Sequence, residues 1–225
     1  MGYLNKFNLK TSLCNAFVET GTGGGKSLKH AYFNGGFKKL FSVEAFKDTA
    51  LAAQAMFQKY RNVEIINDTS EAGLHRILPG LNSEDRVLFF LDAHFVGEMS
   101  SSFQGYQSNV ANDVNLPLRN ELKLIRDYRP NSNDIIIVDD LRLYEDGPYA
   151  NGNVPPNYAN IPPAMRNIDF VYEIFGDRKI IRNFDDEGYL LILPEDSQFT
   201  LKKLSFLQYI SKKLLEKLFS LGVRI

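Results

Sequence analysis

The chain carries a single cysteine, Cys14, in 225 residues, so no internal disulfide can staple the fold. Its apolar setting beside an expected strand predicts a buried thiol rather than a reactive one, as suits a reducing compartment. Charge of one sign is also missing. There are 26 Lys and Arg against 27 Asp and Glu, a formal net charge of -1, and no long run of like charge offers the electrostatic footprint of a polyanion binder. Nucleic acid is therefore not an expected partner. No stretch of about 18 uninterrupted apolar residues exists to span a bilayer. The opening Met1-Gly2-Tyr3-Leu4-Asn5-Lys6 lacks the basic start and apolar core of a signal peptide. A soluble cytoplasmic protein with no stable membrane insertion is expected.

What is present suffices for one well-buried core: 44% of the residues are hydrophobic, at a length usual for a single domain. Short apolar runs alternate with longer helical patterns, which predicts a parallel sheet covered by helices on both faces. Strands are expected at Ala16 to Glu19, Lys39 to Glu44, Val63 to Asn67, Val87 to Asp92 and Asp134 to Asp139. Helical spacing runs over Ser27 to Asn34, Ala45 to Tyr60, Ser70 to Leu78 and Leu116 to Tyr128. After the fifth strand, Asp169 to Phe175, Lys179 to Phe184 and Tyr189 to Leu193 read as shorter strands joined by tight polar turns such as Gly176-Asp177-Arg178. The expected fold class is α/β, a Rossmann-like doubly wound sheet, mostly parallel with a C-terminal antiparallel hairpin. No internal repeat is found.

Residues 1–195 are expected to form this domain, with two long segments, 95–115 and 144–167, as lids after strand carboxyl ends, where open α/β sheets bind ligands. Residues 196–225 form an extension. Within it Leu201 to Leu218 reads as a Lys-rich amphipathic helix with Leu201, Leu204, Leu207, Tyr209, Leu214, Leu215 and Leu218 to one side, expected to pack on the body or on a second subunit. A homo-oligomer formed through this helix or the lids would follow.

The run Val18-Glu19-Thr20-Gly21-Thr22-Gly23-Gly24-Gly25 joins the first strand to the first helix. A Walker A loop would match Gly25-Lys26-Ser27 at its end but needs glycine where Thr20 stands, and a dinucleotide fingerprint needs a third glycine where Lys26 stands. What remains is acidic-x-G-x-G-x-G, Glu19 to Gly25, which resembles the cofactor loop of S-adenosylmethionine (SAM)-binding methyltransferases. Such glycines let the backbone approach a ligand and turn sharply, and a strand-end carboxylate accepts hydrogen bonds. Glu44, ending the second strand, can accept from both ribose hydroxyls, although alone it would read as a helix N-terminal charge. After the third strand Asp68 can accept from an adenine amine, with Thr69 beside it, although Asp68 and Ser70 are equally good helix caps. The expected cofactor residues are Glu19, Thr20, Gly21, Thr22, Gly23, Gly25, Ser27, Glu44, Asp68, Thr69 and Asp92.

The fourth strand ends in Phe89-Phe90-Leu91-Asp92-Ala93-His94 and the fifth in Ile136-Ile137-Val138-Asp139-Asp140. Here the chain resembles the SAM-dependent methyltransferases grouped around macrocin O-methyltransferase and the cephalosporin hydroxylase-like proteins, many of which modify sugar or other small-molecule hydroxyls. The resemblance spans Phe17 to Asp140, more loosely through Leu193. It implies that Asp92, Asp139 and Asp140 hold a divalent cation, Mg²⁺ or Mn²⁺. Converging carboxylates do repel one another unless neutralised. Where that family often has a second acid, this chain has His94, which suits a general base: its ordinary pKa of about 6.5 would let it take a proton near neutral pH. The catalytic candidates are thus His94 and Asp92, and the reading is methyl transfer to a hydroxyl, most plainly of a sugar. Two alternatives stand beside it. A nucleotide-binding hydrolase would use Leu91-Asp92 as a Walker B acid, and a non-catalytic SAM-fold protein would only bind. Phe103, Tyr106, Gln107, Tyr149 and Tyr158 in the lids suit stacking on a carbohydrate, whereas His30 and His75 fall on helices as ordinary surface or packing residues.

Overall fold

The computed structural model describes residues 4–94, 116–154, 161 and 166–199. The elements run β1 (Ala16–Thr20), α1 (Lys26–Asn34), β2 (Lys39–Glu44), α2 (Lys47–Phe57), β3 (Val63–Asn67), α3 (Ser70–Ile77), β4 (Val87–Leu91), α4 (Leu118–Tyr128), β5 (Ile135–Val138), α5 (Asp169–Phe175), β6 (Lys179–Asn183) and β7 (Tyr189–Leu193). The seven strands form one sheet in the order β3-β2-β1-β4-β5-β7-β6. Neighbours from β3 through β5 are parallel, whereas β7 is antiparallel to both β5 and β6. The expected Rossmann-like sheet with an antiparallel end is the fold observed.

Every residue of β1, β4, β5 and β7 is buried, the pattern of strands covered on both faces. The strand period of two sorts the side chains into two cores. Val18, Phe89, Leu91, Ile136 and Val138 meet Leu74, Leu122, Ile125 and Phe175 from α3, α4 and α5. Phe17, Leu88, Phe90, Ile135 and Ile137 meet Leu28, Ala31, Ala53 and Phe57 from α1 and α2. Each fully buried large side chain contributes about 1.5–3 kcal/mol. At the amino ends of β4 and β5, a buried Asp134 accepts from the Val87 amide (2.8 Å) and Nε of Arg129 (2.5 Å), holding the two strands in step.

Residues 169–175 form helix α5, not the strand expected. Phe170, Val171 and Phe175 are buried with Ile174 packed beside them, a helical spacing, and the Asn167 side chain accepts from the Asp169 amide (3.2 Å). The aromatic and β-branched content of this short segment imitates a strand. Helix α4 holds it in place, since the Arg126 guanidinium lies 4.7 Å from the Phe175 ring and donates to the Ile174 carbonyl (2.8 Å). Gly176 therefore follows a helix, and the only hairpin at this end of the described chain is β6 to β7.

Tyr149, expected in a lid, is instead packing: it is buried, its ring lies 5.3 Å from that of Phe184 and its hydroxyl donates to the Glu145 carbonyl (3.2 Å). Phe103, Tyr106, Gln107, Tyr158, the 95–115 segment and the amphipathic tail lie outside the described residues. Cys14 is buried and its thiol is pushed up to about 12 by burial, an unreactive state. Among the described residues no helix is long and apolar enough to cross a membrane.

Candidate functional site

Helices α1 and α2 cover one face of the sheet and α3 to α5 the other. The chain therefore diverges between β1 and β4, the switch point at which such sheets bind ligands. The glycine turn lies there. Gly21 has φ +84°, and a Cβ on it would sit 2.3 Å from the Asp92 carbonyl oxygen, so β1 and β4 can run this close only around glycine. Its amide donates to the Val43 carbonyl (2.9 Å), and the Gly25 amide donates to the Thr22 carbonyl (2.8 Å) as the turn enters α1. The Gly23 amide donates to Oε2 of Glu44 (2.8 Å), while Oε1 of Glu44 accepts from the Phe46 amide (2.9 Å). A Cβ on Gly23 or Gly24 would meet nothing within 4 Å. The turn is thus pinned on its inner side and open on its outer side. No side chain caps the amino end of α1, so its first amides face outward with the positive end of the helix dipole.

Beneath the turn, Glu19 is fully buried and accepts from Ser27 Oγ (2.6 Å) at Oε2 and from Ser42 Oγ (2.7 Å) at Oε1. With the Ser42 proton so placed, the Thr22 hydroxyl donates to Ser42 at 2.5 Å. Burial pushes the Glu19 carboxyl up to about 7, with the two serines opposing and Glu44 adding to the rise. Glu19 and Ser27 therefore tie the turn to the sheet from within. Beside β3, Asp68 Oδ1 accepts from the Thr69 amide (2.9 Å), and Oδ2 lies 3.7 Å from Arg76. The α3 cap is Thr69, whose hydroxyl accepts from the Ala72 amide (3.3 Å), rather than either neighbour expected in that role.

Across the switch point, residues just beyond β4 and β5 come together. His94 Nε2 lies 2.6 Å from Asp140 Oδ2, and His94 Nδ1 lies 3.5 Å from Asp92 Oδ1. Asp140 itself adopts a left-handed conformation, φ +52°. Burial alone would lower the His94 pKa, but the Asp140 hydrogen bond and the charges of Asp92, Asp140 and Asp139 carry it up to about 9. The unshifted base of the sequence reading is not what the fold provides. Burial and neighbouring acids push Asp92 well above the carboxylate range. Asp139 rises to about 6 for the same reasons, and Asp140 is held low against its burial by His94.

Asp92, Asp139 and Asp140, the three acids that resemblance implies as metal ligands, lie close enough to act on one another's ionisation. Among the described residues no group of three or more His, Cys, Asp or Glu is arranged to hold an ion. His94 lies between Asp92 and Asp140.

Glu121, which the sequence reading passed over, is 1% exposed. It sits in the apolar stripe of α4 formed by Leu118, Leu122 and Ile125, and a lone acid in such a stripe was the available signal. Burial pushes its carboxyl up to about 7, against the nearby Thr20 and Ser70 hydroxyls and His94. Tyr144 is also buried, close enough to feel Glu121 and Asp140. His30 and His75 stand apart, His75 packing on Tyr128 and His30 near Asn34.

Neither a known family model nor a curated protein sequence matches the chain. Solved structures do. The O-methyltransferase from Bacillus cereus in complex with S-adenosylhomocysteine (SAH) is 17% identical over 83% of this chain and 76% of that one, with a TM-score of 0.50. A protein named as a caffeoyl-CoA O-methyltransferase from Staphylococcus aureus is 12% identical over 83% and 78%, with a TM-score of 0.52. The fold is a Rossmann-like methyltransferase fold. Spermidine synthase from Thermotoga maritima shares it at 8% identity over 95% of this chain and 72% of that one, with a TM-score of 0.50. Proteins named for different reactions thus have this methyltransferase fold, and the site must select among them.

Proposed function

We propose that this chain is a SAM-dependent methyltransferase acting on a hydroxyl of a small molecule, a sugar being the simplest such acceptor. One observation carries the reading: a glycine turn bonded to Glu44 opens at the β1/β4 switch point, with His94 across from it. The names of the B. cereus and S. aureus structures, and the SAH in the former, support it.

In this reading the open side of Gly23 and Gly24 and the amino end of α1 receive the carboxylate-bearing part of the cofactor. Glu44 keeps lone pairs beyond its two amide contacts for ribose hydroxyls. Asp68, with its outer oxygen only loosely paired to Arg76, faces the adenine. When bound, SAM supplies a methyl group on a positively charged sulfur, displaced in line as an acceptor oxygen attacks. His94 is the residue that removes the acceptor proton, and Asp140 orients its ring through Nε2. The same contact keeps the ring protonated until about pH 9, so its action as a base is an alkaline one. An acceptor reached from solution and a homo-oligomer formed through the C-terminal segment complete the proposal.

Calorimetry with SAH, ATP and NAD tests it. SAH binds and raises the melting temperature as mass action requires, and ATP and NAD do neither. Binding of NAD without SAH would overturn the reading.

A further inference from the structure

Helix α2 is apolar on two opposite sides. Its inward side buries Ala50, Ala53 and Phe57. On the outward side Leu51 and Met56, each 52% exposed, flank the exposed Ala52 and Ala55. Alanine at an exposed helix position needs no partner, since it favours the helix by itself. Leucine and methionine beside it are another matter: the solvent side of a surface helix is ordinarily polar, and a helix that is apolar all round is covered all round. Between Asp48 and Lys59 this outward side carries no charge.

The symmetry of the pattern names the occupant. Asp48, Ala52 and Ala55 fall in one line along the helix at spacings of four and three, opposite the buried side, and Lys59 follows in the turn after the helix. Asp48 and Lys59 are about 16 Å apart along the axis, so the two charges of one chain cannot neutralise each other. Read backwards, the line is the same with its charges exchanged: acid, alanine, alanine, base. When a second copy lies antiparallel across this helix, each Asp48 faces a Lys59 and each Ala52 faces an Ala55. Leu51 then meets Leu51 on one flank, and Met56 meets Met56 on the other. The alanines let the two axes approach to about 8 Å, the near end of helix packing. We propose that this chain associates with a second copy of itself through α2, in an antiparallel two-fold contact. The contact does not depend on the methyltransferase reading and is separate from any that the C-terminal segment makes. With a single helix pair at its centre it is smaller than the about 1,200 Å² of a standard interface, so the dimer is weak and concentration-dependent.

Sedimentation of the full chain at low salt, from about 1 µM to about 300 µM, gives a mass that rises from that of one chain towards that of two. Ala52→Glu sets a carboxylate against the apolar centre and weakens association at least about tenfold; glutamate is a good helix former, so the variant keeps the parent's circular dichroism. Asp48→Lys and Lys59→Asp each put like charges together at both ends of the contact and weaken it about threefold or more. The chain carrying both reversals restores opposite charges across the contact and recovers the parent's affinity, a recovery that damage to the fold would not produce. A chain that stays monomeric throughout overturns the proposal. So does association that ignores Ala52→Glu, which would place the contact elsewhere, as in the C-terminal segment. A doubly reversed chain that associates no better than the single variants overturns the antiparallel arrangement and the proposal with it.

Discussion

Nε2 of His94 lies 2.6 Å from Oδ2 of Asp140, so the ring and the carboxylate titrate as a pair rather than as independent groups. Each stabilises the charged form of the other, which raises the histidine to about 9 and lowers the aspartate.

The turnover of methyl transfer should therefore climb between pH 7 and 9 and level off above, because the base form of His94 accumulates only there. Asp140→Asn removes the stabilising charge and should move this rise to lower pH by about one to three units. His94→Ala should lower single-turnover rates about 10²-fold to 10⁴-fold while SAH affinity changes little. A variant profile that overlays the parent's would remove His94 from the proton transfer.

The glycines of the turn should separate stability from binding. Gly21→Ala forces a Cβ onto the Asp92 carbonyl at positive φ and should cost roughly 1–3 kcal/mol of stability in denaturant unfolding. Gly23→Val points into open space at φ +48°, so the variant should fold at a cost of about 1–2 kcal/mol yet lose SAH binding. Retained SAH affinity in Gly23→Val would place the cofactor elsewhere.

Glu19 gives a pH signature of stability. Its folded pKa of about 7 exceeds its ordinary 4.5, so between those values the folded chain keeps a proton that the unfolded chain has lost. The contribution is whole below about pH 4.5 and disappears as pH rises through 7. Glu19→Gln has nothing to titrate, so its stability relative to the parent should improve steadily from pH 4.5 to 7 in urea melts. A constant difference across that range would mean that Glu19 is ionised throughout.

Metal removal should leave the reaction running. With His94 interposed between Asp92 and Asp140, dialysis against EDTA should change turnover by less than about twofold. A large loss restored by Mn²⁺ would reinstate the three-acid ligand set.

The strands were legible because a buried parallel strand must be a continuous apolar run: β2, β3 and β7 lie where the residues place them, and β1, β4 and β5 differ only at their ends. Helix α5 was not legible, because its seven residues are too few to display a period and its helical state depends on Arg126 and the face of α4. In the site, the glycine turn could be read from spacing. The partnership of Glu19 with Ser42 could not, since it is set by β1 and β2 lying side by side in register. Nor could the high proton affinity of His94, which follows from the Asp140 hydrogen bond and the neighbouring acids that the ends of β4 and β5 bring to its ring. Glu121 carried a signal as an acid among leucines, and its meaning came only when α4 was laid over the end of β1.

The insertion of β7 between β5 and β6 also sets an order of assembly. During synthesis β5 emerges with β4 to pair with on one side and nothing on the other until Leu193 has been made, some fifty residues later. For that interval Ile135–Val138 presents a bare, wholly apolar edge, the kind that recruits strands from other chains. A nascent chain stalled within this stretch, or a gene truncated there, would yield a sticky product, whereas one cut after Phe199 keeps the edge closed.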